Sequence, residues 1–228
     1  MSTVTAPRRD SSPIVVYVTF ALASIVALVS ATLALAAFLS PLISDDVRVN
    51  MPTQSFWPPL LPTVVLQPPP AAHVSSGGYE VAPVTVAGLS MDARVQLAFG
   101  GALQGLTFAA LAAVLAVICI QLLRGAPFQR IVVRALNLSA AIVIIGGLGS
   151  QLLLGFGGVA ASMQVLTVDA WQADRAIVGI GQDFIGWPYP QTEFHVDFWP
   201  IFVGLALLAL AAVFHAGARL QRDTEGLV

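Results

Sequence analysis

The chain alternates between two textures. Residues 11–44, 95–123, 135–168 and 198–218 contain no Asp, Glu, Lys or Arg. Between them the sequence turns polar, proline-rich or charged. A helix needs about 20 apolar residues to cross a bilayer core, and each stretch supplies one crossing. The pattern predicts helices near 14–40, 91–123, 128–158 and 197–220, with two longer segments, 41–90 and 159–196, outside the spans. The second and third helices exceed the minimum, so they tilt or project beyond the bilayer. Arg8 and Arg9 precede the first run, and Ala34-Leu35-Ala36 resembles a cleavage site. The run is far longer than the ~7–15 residues of a signal core, however, so it is expected to stay as an anchor.

The two outer segments carry a different period. Val47-Arg48-Val49 and the run from Val81 to Val86 are β-branched and strand-like. So is Val165-Leu166-Thr167-Val168, while Glu193-Phe194-His195-Val196-Asp197-Phe198 alternates strictly. A two-stranded hairpin is marginal alone, so strands from both segments are expected to pair into a small sheet on the helix ends. Segment 41–90 holds nine of the fifteen prolines, and its middle favours polyproline II or irregular structure. Proline-lined loops lying on the membrane surface are the alternative. The expected fold class is an all-α membrane protein: one integral membrane domain, a four-helix transmembrane bundle with a small extracytoplasmic β-containing cap from two loops.

Composition agrees. Of 228 residues, 57% are hydrophobic and 10% charged, where soluble domains run near a quarter charged. A net charge of −2 leaves no footprint for nucleic acid. The lone cysteine, Cys119, makes no internal disulfide or cysteine zinc site.

Charge then sets an orientation. Segments 1–13, 124–134 and 215–228 hold seven arginines against three acids, a net of +4. Segments 41–94 and 159–197 hold three arginines against nine acids, a net of −6. The positive-inside rule puts both termini and the 124–134 turn in the cytoplasm of a bacterial inner (plasma) membrane protein. Arg124, Arg130 and Arg134 are expected at the headgroups, by snorkelling or as a lipid site, and Trp199 as an interfacial anchor.

Small residues mark packing faces. Gly101-xxx-Gly105 and Gly146-xxx-Ser150 let helix backbones approach, within the chain or against a second copy. Gln96, Gln104 and Gln151 are expected to bond between helices or, alternatively, to line a polar path. Ser90 is placed to cap the second helix.

Chemistry is sparse. No ionisable side chain lies deep in a span, which disfavours proton-coupled transport. No nucleotide-binding, nucleophile-elbow or zinc-protease motif appears, and neither an enzymatic activity nor a cofactor is expected. The weak exception is Glu193, His195 and Asp197, which share one face of a strand and offer a metal a carboxylate–imidazole–carboxylate set, with Asp183 as a further ligand. The plainer reading is the solvated face of a half-buried strand.

Two stretches carry a resemblance. The turn Leu122-Leu123-Arg124-Gly125-Ala126-Pro127-Phe128-Gln129 has a Gly-x-Pro-Phe pattern, and Phe214 to Val228 ends in an Arg-bearing tail. Both resemble a bacterial family of four-span membrane proteins, a domain of unknown function often encoded beside a small helix-turn-helix regulator. The polar pair that often follows the Phe there is replaced by Arg130-Ile131 in the sequence after Gln129, and the proline-rich first loop is longer. The resemblance implies a role in sensing or regulation and no catalytic residues. The expected partners are the lipid bilayer and a protein, either another chain or a second copy. An interaction protein (sensory, regulatory or accessory) leads. A small transporter of an apolar or amphipathic molecule follows, then a membrane enzyme at the Glu193 face.

Overall fold

The charge-free stretches are helices, and the β-branched runs of the first loop are strands. The computed structural model describes residues 13–56, 77–124, 130–168 and 188–225. In chain order these are α1 (Pro13–Ile43), β1 (Asp46–Phe56), β2 (Tyr79–Ala87), α2 (Met91–Leu123), α3 (Arg130–Leu166) and α4 (Trp199–Glu225). All four helices are long and apolar enough to cross a membrane. The proline-rich run 57–76, Asp183 and the Gly-x-Pro-Phe turn 125–129 lie outside the described residues.

Two expected strands are absent. Val165 and Leu166 are the last residues of α3, which runs eight residues past its expected end. Met163 already belongs to a formed helix, and the Thr167 hydroxyl bonds back to its carbonyl at 2.6 Å. Propagating an existing helix needs no new nucleus, which outweighs the β-branched preference. Residues 193–198 form no strand. Among its described residues the second loop contributes a bridge, Thr53 to Pro190, beside the two-stranded sheet of the first loop.

The chain packs as two units. The first holds most of α1, α2 from Phe99 onward, α3 as far as Leu152, and α4. On α1 the small residues Ala23, Ala27, Ser30, Ala34 and Ala37 recur every three or four positions and form its covered stripe. Gly101 and Gly105 of α2 lie on that stripe: a Cβ on Gly101 would stand 3.1 Å from the Ala37 Cβ, and one on Gly105 2.7 Å from that of Ala34. Gly146 of α3 takes the Thr107 side chain of α2. On α4 the covered stripe is Pro200, Gly204, Leu207, Ala211 and Phe214. It meets α3 where Gly204 admits Ile144 and where Ala211 joins Val132 and Leu136. Such close approach is what small residues provide where water drives nothing together.

The second unit holds β1, β2 and the adjoining helix parts. The strands are antiparallel, Val49 facing Val84, with a shift between Pro52 and Phe56. Val47, Val49 and Met51 alternate onto Leu89, Ala93 and Leu97 of the α2 region and Ala161 and Leu166 of α3. That shared core gives a hairpin, marginal by itself, something to fold on.

Candidate functional site

The second unit is built from backbone groups held by side chains. In an antiparallel pair each residue's N–H and C=O point to one side, alternating along the strand. The Pro52 carbonyl accepts from the fully buried Ser162 hydroxyl at 2.6 Å, and the Gln54 amide donates to the Tyr189 carbonyl at 3.0 Å. These even-numbered groups face away from β2, so α3 and the second loop cover the edge of β1. Gly158 permits this, since a Cβ there would lie 2.7 Å from the Asn50 carbonyl oxygen. On β2, Pro83 lacks the donor that another chain would pair with, a common way to blunt an edge.

Two glutamines of α3 act alike. Gln164 accepts from the Ser90 amide at 2.9 Å and donates to the Gly88 carbonyl at 3.3 Å. It thereby holds the β2–α2 turn, where Gly88 has a φ of 71° that suits glycine. Gln151, in the first unit, accepts from the Asp197 amide at 2.7 Å and donates to its carbonyl at 3.1 Å, just before α4. Arg94 donates to the carbonyls of Pro41 and Ser44, a cation at the C-terminal end of α1.

A crevice of about 450 Å³ opens in this unit. Val49 and Val84 of the sheet line it with Leu97 of α2 and Leu154 of α3; Arg48, Asn50 and Thr85 also contribute. A second, apolar groove of about 400 Å³ lies in the first unit between Leu103, Leu106 and Thr107 of α2 and Leu138, Ile142 and Ile145 of α3.

No protein family, curated protein or solved structure matches this chain. Its function is therefore argued from its own residues.

The expected site residues are distributed as follows. Glu193, His195 and Asp197 are exposed, and Phe194 is half-covered, its ring edge-on to Phe156 at 5.2 Å. Exposure alternates from Glu193 to Asp197 without a strand, and the alternation ends at Phe198, which is exposed. Among the described residues no three His, Cys, Asp or Glu side chains are grouped to hold a metal. Phe194 is seated against Phe156 and Gly155. Arg124, Arg130 and Arg134 are exposed near the facing ends of α2 and α3, and Trp199 is exposed at the start of α4. Gly101, Gly105 and Gly146 meet helices of the same chain. Ser150 is buried, and its hydroxyl bonds to the Gly147 carbonyl at 3.0 Å. Gln104 is exposed, and the buried Gln96 Oε1 finds no partner among the described residues.

Sequence reasoning missed Ser162, Gln164 and the crevice. Two polar side chains near the end of an apolar run are the signal for the first two. The crevice has none, since Leu97 and Leu154 look like any span leucine.

Proposed function

We propose that the chain is a multi-pass protein of a bacterial inner membrane that works by interaction, as a sensory, regulatory or accessory subunit. Both termini lie in the cytoplasm and the sheet-bearing unit outside, as the +4 and −6 charge sorting supports. The resemblance of the 122–129 turn and the C-terminal tail to a four-span family found beside regulators points the same way.

The observation that carries this reading is how the second unit is held. A hairpin too small to stand alone is bonded to helix segments by Ser162 and Gln164, with Arg94 fixing the end of α1 beside it. Such construction suits a fixed surface for recognition. The span hydroxyls favour it over transport: Thr107, Ser139 and Ser150 each bond a carbonyl of their own helix instead of facing a path.

Reporter fusions test the topology: a periplasmically active reporter is expected to work after residue 66 and to be silent after 126. A photocrosslinker placed at the exposed Glu80 tests the role in native membranes. One adduct of fixed mass is expected there, and none with the probe at the exposed Leu28 of α1. No adduct from the second unit, together with dye flux in proteoliposomes, would replace interaction by transport.

A further inference from the structure

We infer that the apolar groove of the first unit holds an acyl chain of an anionic phospholipid, whose phosphate lies at the level of Arg130 and Arg134. The groove, of about 400 Å³, runs between α2 and α3. Its one polar side chain is Thr107, whose hydroxyl already bonds the Leu103 carbonyl at 2.8 Å. Such a lining suits hydrocarbon.

The arginines share the face of α3 that walls the groove. At about 100° per residue, Arg130, Arg134, Leu138, Ala141 and Ile145 fall within roughly 80° of arc. All five are exposed, and the last three line the groove. Val132 and Leu136, which cluster with Ala211 of α4, lie roughly 160° from Arg134, on the opposite side. Helix side chains lean toward the N-terminal end, which on α3 is the arginine end. Arg134 therefore extends along its own stripe away from the apolar wall, as snorkelling to a head group requires. Depth agrees as well. Arg134 and Ile145 are ~16 Å apart along the axis, close to the ~15 Å of hydrocarbon in one leaflet.

Charge selects the lipid. Among the described residues Arg130 and Arg134 have no hydrogen bond or ion pair, and residues 124–134 contain no acid. Their guanidinium forks fit a phosphate, and their uncompensated charge favours a head group of net negative charge. A second copy fits less well, because a two-fold interface on this stripe sets each arginine near its equivalent. The inference rests on the membrane reading, which supplies the lipid.

The test uses the full chain in phosphatidylcholine nanodiscs doped with phosphatidylglycerol that carries a mid-chain diazirine, the label being mapped by mass spectrometry. Label is expected on residues 103–110 and 138–146 in excess of that on α1. The same diazirine chain on a phosphatidylcholine head should give no such excess, and unlabelled phosphatidylglycerol should compete it away. Arg134→Gln, at an exposed position, is expected to lower the excess about fivefold, the scale of one basic residue near an anionic surface. Ala141→Trp, which fills the groove, should abolish it, and an unchanged Tm shows that either variant has folded. Equal labelling from the two head groups, or equal excess in wild type and Arg134→Gln, overturns the site, as does label spread evenly over all four helices. Resistance to alkaline extraction, scored on the cell membranes that supply the protein, separates that failure from failure of the membrane reading.

Discussion

A missing side chain matters most where the neighbour is backbone. At Gly158 an added methyl would stand 2.7 Å from the Asn50 carbonyl oxygen, and relief requires moving β1. At Gly149 the neighbour is the Leu103 Cδ2 at 3.0 Å, the far end of a flexible side chain. Gly158→Ala is therefore expected to cost about 1–3 kcal/mol, as overpacking commonly does, and Gly149→Ala much less. Thermal unfolding in detergent should give a clearly lower Tm for the first variant and a small shift for the second. Equal shifts would mean that β1 yields as easily as a leucine methyl.

At the scale of elements, the legible parts were those whose own pattern decided them. Val47, Val49 and Val81 to Val86 alternate, lie close in sequence and found each other as β1 and β2. Glu193 to Phe198 alternates as well, yet a strand also needs a partner edge, and the edge of β1 nearby is taken by Ser162 and Tyr189. Val165-Leu166 read as strand because its β-branched flanks hid the helix arriving from Ala160 and Ala161. The crevice was illegible because it is made by register, which no single segment encodes. The joint at Gln164 has its own test. Gln164→Leu removes a donor and an acceptor together, so the amide of Ser90 should exchange with solvent faster while those in mid-α2 do not. The expected cost is about 1 kcal/mol per hydrogen bond lost. Unaltered exchange at Ser90 would show that the turn holds itself.

For the whole molecule, net charge is less informative than its sorting. Arg124, Arg130 and Arg134 are the only charges of the turn 124–134, which the proposed topology puts inside. Changing all three to Gln lowers the inner total from +4 to +1 and weakens the bias that fixes orientation. A fraction of molecules should then insert reversed, detected as periplasmic reporter activity lost after residue 66 and gained after 126. Wild-type activities in the triple variant would show that the first anchor alone decides topology. The small-residue stripes bear on assembly too. Ala34, Ala37, Gly101, Gly105 and Gly146 are already used within the chain, so a second copy would have to dock elsewhere.

The paired glutamines have one more consequence. A glutamine amide carries the donor and acceptor of a peptide group and does not titrate. A joint made with it therefore has no protonation state to lose and little charge for ions to screen. The hold of Gln164 on the β2–α2 turn, and of Gln151 on the approach to α4, should stay the same through an acid pulse or a salt jump. A stimulus that releases either joint would have to do so by mechanical displacement or by competition for the amide itself.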